Sequence, residues 1–275
     1  VEDLKNLILT YWKDGYNITG ALLIGRFPAA WFHHEDDFYG NPAEFPCDLF
    51  LMDLDGNWED TDGDGLYDSH TDGAGDTAPE IYVGRIDASN MPGDEIAIIK
   101  NYLQKVNDYW KGNINGTDYG LTYTEEDWNG SNDIRFGMGY GYDTYEAIWY
   151  PNVNRDDYVN NRLPDVAYEL IQLACHSWSG GHSFTIGGYA YSDDIRNAPP
   201  MALFYNLFCC GALRFTDYNC LGNAYILNTG SPSLAVIGST KSGSMLSFRD
   251  FYEPIGQNYS FGEAFRTVSY THLRA

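Results

Sequence analysis

Two apolar segments end in side chains capable of covalent chemistry. Leu170-Ile-Gln-Leu-Ala174 runs into Cys175-His176, and Phe204-Tyr-Asn-Leu-Phe208 runs into Cys209-Cys210-Gly211. An imidazole beside a thiol can take its proton and leave a thiolate able to attack a carbonyl carbon. His176 is the candidate base and Cys210 the candidate nucleophile. Gly211 lets a backbone N–H approach a developing oxyanion, and Gly180-Gly181 loosen the chain after His176. Neighbours on an extended chain point to opposite sides, so only one of Cys209 and Cys210 can face His176. The other belongs in the apolar layer between sheet and helix, where burial raises a thiol pKa and lowers reactivity. By residue type alone, Cys175 and either thiol of the pair also suit inert core filling. His182 suits a packing histidine or a group supporting His176.

A second cluster offers hard oxygen donors. Asp53-Leu-Asp55-Gly-Asn57-Trp-Glu59 is followed by Asp60-Thr-Asp62-Gly-Asp64-Gly65-Leu66-Tyr-Asp68. The second stretch has carboxylates at positions 1, 3, 5 and 9, Gly at 6 and a backbone carbonyl at 7, the order in which a loop wraps Ca2+. The predicted ligands are Asp60, Asp62, Asp64, Asp68 and the carbonyl of Leu66. Position 12, where an EF-hand carries a bidentate Glu, is Thr71, which argues against a full EF-hand. Asp and Gly also dominate plain turns, but so dense a set of carboxylates repels itself without a cation. The expected role is structural, at least one calcium ion pinning a long loop beside a strand edge.

These groups must be held by the elements around them. Leu4, Leu7, Ile8, Tyr11 and Trp12 have helical spacing, which predicts an opening helix. Gly20–Gly25 reads as a short, fully buried strand of the parallel-sheet type, and 81–84 as another. Pro92 to Lys111 is an amphipathic helix closed by Gly112. Residues 112–135 read as a polar loop, and 136–150 as a strand entering a helix. Strands are expected at 167–174, 201–208 and 233–238, with a helix near 224–227. Buried strands alternating with helices predict an α/β fold, a three-layer α/β/α sandwich with a mostly parallel sheet. In such sheets reactive groups gather at the C-terminal strand ends.

With 275 residues the chain is long enough for a substantial core without disulfides or a structural metal. Sixteen Lys and Arg against 39 Asp and Glu give a net charge of −23, which opposes encounter with nucleic acid and anionic membranes. A hydrophobic share of 44% excludes a disordered acidic tail, and no apolar run reaches the roughly 20 residues of a membrane span. Cys47, Cys175, Cys209, Cys210 and Cys220 show no CxxC spacing, against a zinc ribbon or a disulfide scaffold. The acid-rich, Tyr-rich, Lys-poor composition suits a secreted protein, and the absence of an initiator Met or leader suggests a mature piece or fragment.

The stretches Leu170-Ile-Gln-Leu-Ala-Cys-His176-Ser and Phe204-Tyr-Asn-Leu-Phe-Cys-Cys210-Gly-Ala-Leu-Arg214-Phe resemble the His and Cys motifs of gingipain-type cysteine peptidases. This is the C25 family of the caspase–gingipain–clostripain group. Leu22-Leu-Ile-Gly25, Pro46-Cys-Asp48 with the Asp-rich loop, Pro79-Glu-Ile-Tyr-Val-Gly-Arg85, Ala235-Val-Ile-Gly238-Ser-Thr240 and Phe261-Gly-Glu-Ala264-Phe agree in order. The resemblance spans about residues 20–266. It implies a caspase-like α/β/α fold and endopeptidase activity on protein or peptide substrates, with His176 as general base. It places the nucleophile at Cys210 if Arg214 is the anchor, or at Cys209 if the spacing to Cys220 is. The Arg214 alignment needs no gap. Cys175-His176-Ser177 departs from the family's Gly-His-Gly.

Residues 1–267 are expected to form one peptidase domain. The tail from Val268 to Ala275 has neither amphipathic order nor a cap and resembles translated adaptor read-through, so His272 is discounted as a ligand or base. Two other function classes fit the residues. One is a catalytically inactive caspase-like module for adhesion or assembly; the other is a carbohydrate-active domain, suggested by the many Tyr, Trp and Asp.

Overall fold

The computed structural model describes residues 1–37, 40–243 and 246–272, with side chains described as far as Val268. Helix α1 (Glu2–Lys13) leads into β1 (Gly20–Ile24), the hairpin of β2 (Trp31–His34) and β3 (Ala43–Pro46), and α2 (Leu49–Met52). A second hairpin, β4 (Asn57–Glu59) with β5 (Ser69–Thr71), carries the acidic loop at its tip; β6 (Tyr82–Ile86) and α3 (Glu95–Trp110) follow. Next come β7 (Gly120–Thr124), α4 (Asn132–Phe136), β8 (Tyr145–Trp149), α5 (Arg155–Asp157), a π-helical turn at Tyr158–Arg162, and β9 (Leu170–Ala174). Three antiparallel strands follow, β10 (His176–Trp178), β11 (Gly181–Phe184) and β12 (Gly188–Tyr191), then α6 (Ser192–Asn197). The chain continues through β13 (Phe204–Phe208), α7 (Leu221–Ile226), β14 (Ala235–Gly238), α8 (Phe248–Gly256) and α9 (Phe261–His272).

The central sheet has the order β14-β13-β9-β7-β8, every neighbouring pair parallel. Helices cover both faces, as a parallel sheet requires. Ile171 and Leu173 of β9, with Tyr205 and Leu207 of β13, join one core with α3 and α7 residues such as Ile98, Tyr102, Ala224 and Tyr225. Leu170, Ala174, Phe204 and Phe208 join another with Phe248, Phe251 and Tyr252 of α8 and Ala264 of α9. This second face carries a buried polar chain. Tyr252 donates to Gln172 Oε1 at 2.7 Å, and Asn206 Nδ2 donates to the Tyr252 hydroxyl at 3.1 Å. Leaving one buried partner unpaired costs about 1–3 kcal/mol, so the chain specifies how α8 docks.

A third core gathers Ile8, Leu23, Phe50, Leu51, Leu54 and Ile81 around the parallel pair β1–β6. The α/β/α architecture with a parallel sheet is thus as expected, with three local corrections. First, β1 is not fully buried: Leu23 is inside, but Leu22 and Ile24 are 52% and 40% exposed, because β1–β6 is a separate two-stranded sheet. Second, the supposed polar loop 112–135 contains β7, all five residues of which are buried inside the main sheet between β9 and β8. Third, α9 runs past residue 267 and buries Val268, one turn beyond Ala264; residues 273–275 lie outside the described residues.

Helix α3 starts on the side chain of Asp94, which accepts from Ala97 N at 2.8 Å. Its buried face is Ile98, Tyr102 and Lys105. The Lys105 ammonium donates to the carbonyls of Ile226 at 2.7 Å and Asn228 at 3.3 Å, closing the C-terminal end of α7. Burial lowers the Lys105 pKa from 10.5 to about 8. Between those values the unfolded chain holds more protons than the folded one, so this group's contribution to stability rises with pH. Unfolding by urea at about pH 7 and about pH 9.5 should show the parent gaining stability relative to Lys105→Met at the higher pH. A constant difference between the two proteins would contradict this assignment.

Candidate active site

Strands β9 and β13 pair in parallel with Ala174 opposite Phe208. The next residues, Cys175 and Cys209, follow the face of Leu173 and Leu207 and are buried at 0% and 1% exposure. His176 and Cys210 therefore take the opposite parity, one step further out. His176 is exposed and Cys210 half-buried. Both lie at carboxyl ends of strands next to the place where the chain changes direction across the sheet, since β8 lies on one side of β7 and β9 on the other.

His176 Nε2 meets Asp127 Oδ2 at 2.7 Å, and the Trp128 ring lies 4.7 Å from the imidazole. Asp127 and Trp128 sit in a short 3-10 turn after β7. With Nε2 held by Asp127, Nδ1 is the nitrogen left free for a thiol proton. Cys210 Sγ accepts from Gly243 N at 3.2 Å, and Ser177 Oγ donates to the Cys210 carbonyl. Among the described residues no hydrogen bond joins His176 to Cys210.

Gly211 has φ +61°, the left-handed turn that carries the chain out of β13. Its N–H is already committed to Lys241 O at 2.8 Å. The expectation that it faces an oxyanion is therefore corrected. Arg214, the anchor of the Cys motif, lies over the Trp31 ring and donates to Glu44 O at 2.8 Å.

His182 is fully buried and does not support His176. It faces Cys175 Sγ through Nδ1 at 3.4 Å and Tyr225 through Nε2 at 2.9 Å. The Cys209 thiol, expected to rise on burial, is lowered instead: burial raises it, but hydrogen bonds with Cys175 and His182 outweigh that. The Cys175 thiol goes up instead, by burial and its neighbour Cys209. Cys209 is nonetheless shut off from solvent, at 1% exposure.

In the acidic loop, Asp60, Asp62 and Asp68 bring carboxylate oxygens within 4.8 Å of one another. Asp64 stands outside that group, its Oδ1 accepting from Leu66 N at 2.8 Å. Asp60 accepts from the N–H groups of Gly63, Asp64 and Gly65, which shapes the loop around its first carboxylate. A second acidic group, Asp53, Asp55 and Glu80, lies deeper. There burial lifts the Glu80 carboxyl to about 7, and the partly buried ammonium of Lys5 interacts with all three. Sequence reading missed Asp127 and Glu80. An acidic run, Glu125-Glu126-Asp127, directly after a Thr/Tyr-rich strand was the available signal for the first.

A cavity of about 500 Å³ is lined by Asp48, Arg85, Phe215, Gly238 and Lys241 among others. Neither His176 nor Cys210 lines it, so it is separate from the Cys–His site.

No family model matches the chain, and no curated protein matches it by sequence. Two solved structures share its fold. Gingipain R, an Arg-specific cysteine proteinase, aligns with TM-score 0.63 at 14% identity over 97% of this chain and 61% of its own. A structure described as a protease aligns with TM-score 0.57 at 18% identity, over 95% and 54% respectively. The fold is the caspase-like α/β/α fold of gingipain-like cysteine peptidases. The chain spans little more than half the length of these proteins.

Exposure differs sharply among the five thiols, and alkylation can read it. Iodoacetamide on the native protein, followed by peptide mass mapping, should label Cys210 first. Cys175, Cys209 and Cys220, each at most 1% exposed, should label only on unfolding, and Cys47, its thiol raised to about 12 by burial, slowly. Early labelling of Cys209 would refute the parity of the two strand exits.

Proposed function

We propose that the chain is a secreted cysteine endopeptidase that hydrolyses peptide bonds through Cys210 and His176, with calcium stabilising the acidic loop. One observation carries the reading: the two residues extend paired parallel strands at matching positions, and an Asp127 carboxylate holds the imidazole. The likeness to cysteine proteinases of the same fold supports it.

In this mechanism His176 Nδ1 takes the Cys210 proton and the thiolate adds to the peptide carbonyl carbon. The C–N bond breaks as imidazolium returns the proton to the departing amine, leaving a thioester on Cys210. Water, deprotonated by His176, then attacks the thioester and releases the acid and the thiol. Asp127 acts throughout as the group that orients the ring and offsets its transient positive charge. The acidic, Lys-poor composition supports an extracellular setting.

Calcium would be held by Asp60, Asp62 and Asp68, with Asp64 reaching it by turning out of its bond to Leu66 N and the Leu66 carbonyl as a further ligand. Seven oxygen ligands are typical for this ion, and exposed carboxylates supply them readily. Its role here is to cancel repulsion across the tip of the β4–β5 hairpin.

Cleavage of a peptide library should disappear in Cys210→Ala and largely survive in Cys209→Ala. The reverse pattern would move the nucleophile to Cys209, and cleavage by both single variants would exclude the dyad.

The calcium assignment is tested separately by melting. Asp62→Ala/Asp64→Ala should lower the melting temperature in calcium buffer and leave it nearly unchanged after chelation. Equal melting of the parent with and without calcium would defeat it.

A further inference from the structure

Beneath the proposed dyad lies a second cluster that peptide hydrolysis does not use. Cys175, His182 and Cys209 are 0%, 0% and 1% exposed, and their Sγ and ring nitrogen atoms lie within 4.8 Å of one another. They come from three places in the chain: the exit of β9, the second residue of β11, and the exit of β13. The imidazole turns a nitrogen, not a carbon, towards sulfur, with Nδ1 3.4 Å from Cys175 Sγ. Its other nitrogen is fixed by the Tyr225 hydroxyl at 2.9 Å, which in turn meets the Tyr158 hydroxyl at 2.8 Å. Metal-ligating histidines are oriented by this kind of outer hydrogen bond, which sets the tautomer and the ring plane.

We propose that Cys175, His182 and Cys209 hold one thiophilic cation, Zn2+ or Cu+, which ties the exits of β9 and β13 together. Two sulfurs and one imidazole are a soft donor set, and the absence of a carboxylate from the group disfavours Ca2+ or Mg2+. At bond lengths of about 2.3 Å to sulfur and about 2.0 Å to nitrogen, adjacent donors sit roughly 3.4–3.8 Å apart, which matches the Cys175–His182 spacing. Charge closes as well. Zn2+ displaces two thiol protons to give two thiolates and a neutral site, so no net charge is left in the core. The number of donors separates the two ions: the three present satisfy Cu+ and leave Zn2+ one short of its usual four.

The ion would hold the two residues that precede His176 and Cys210, so it fixes both strand ends without touching a substrate. Because the cluster is shut off from solvent, loading accompanies folding.

Metal content of the intact protein, purified under reducing conditions without chelator, tests this directly. We expect about one equivalent of zinc or copper per chain, the two distinguished by elemental analysis. Refolding with Co2+ should produce sulfur-to-cobalt charge-transfer absorption in the near ultraviolet. Cys175→Ser and Cys209→Ser should lose both signals. Cys210→Ala and Asp62→Ala/Asp64→Ala should keep them, which separates this site from the dyad and from the calcium loop. If the serine variants fail to fold, Tyr225→Phe decides: it should weaken binding about 10- to 100-fold in competition with a chromophoric chelator. A native protein free of both metals that also shows no cobalt–sulfur absorption after refolding overturns the proposal. So does binding by Cys175→Ser, or by Tyr225→Phe, equal to that of the parent.

Discussion

The parallel register between β9 and β13 is the constraint on which the site depends. Ala174 opposite Phe208 brings the next residues, Cys175 and Cys209, together in the core and gives His176 and Cys210 the opposite parity. Side chains alternate along each strand, so a slip of one residue would send the buried thiols outward and the dyad inward. The register is over-determined by what lies behind it. Gln172 and Asn206 are opposite one another and share the Tyr252 hydroxyl, while Leu173 and Leu207 fill the other face. A polar chain on one face and an apolar layer on the other accept only one alignment.

The N-terminal third is joined to this frame by a few cationic side chains. Arg85 leaves β6 to make a two-point ion pair with Asp48, at 2.7 and 3.0 Å, and lies 4.4 Å from the Phe215 ring. Three of the scattered motifs thus meet at one guanidinium: Pro46-Cys-Asp48, the strand ending in Arg85, and the segment after Cys210. A planar, always-charged group can satisfy a carboxylate and an aromatic face together, where a lysine could not. Lys241 plays a related part. Its ammonium pairs with Asp37 at 2.6 Å, and its carbonyl accepts the Gly211 N–H, so the turn after β13 is tied through one residue to the β2–β3 region. Gly262 allows α9 to lie on Tyr82, where a Cβ would fall 2.5 Å from the ring.

Much of this was legible in sequence because buried parallel strands are written in apolar residues. The β9 and β13 segments, with reactive groups at their ends, could be read directly. Strand β7 was not, since Gly120-Leu-Thr-Tyr-Thr124 is polar by residue type. Its burial comes from neighbours: Thr122 donates to Arg135 O, and the Tyr123 hydroxyl reaches Asn154 O and Asp157. With β7 unseen, Asp127 at its exit was invisible as a partner for His176. The role of His182 was hidden for another reason. Its neighbour Tyr225 is 43 residues away in sequence and on a helix, and no local spacing encodes that contact. The acidic loop was legible as a cluster, but which carboxylates converge depends on backbone N–H groups that draw Asp64 aside.

The separation of the two thiols follows from the same geometry. A strand exit in this fold must present one reactive side chain to solvent and place its neighbour in the core. In most sequences the inward residue would be a small or apolar filler, and it would make no demand on what surrounds it. Here both inward residues are cysteines, and the core supplies a buried imidazole with its far nitrogen hydrogen-bonded. Buried polar groups need partners to be tolerated, and these three partner mainly one another. The outward residues differ: His176 is exposed, held at one nitrogen by the exposed carboxylate of Asp127, with the Trp128 ring 4.7 Å away. The buried layer thus fixes the two strand ends, and on the proposed reading those ends are what carry the nucleophile and the base.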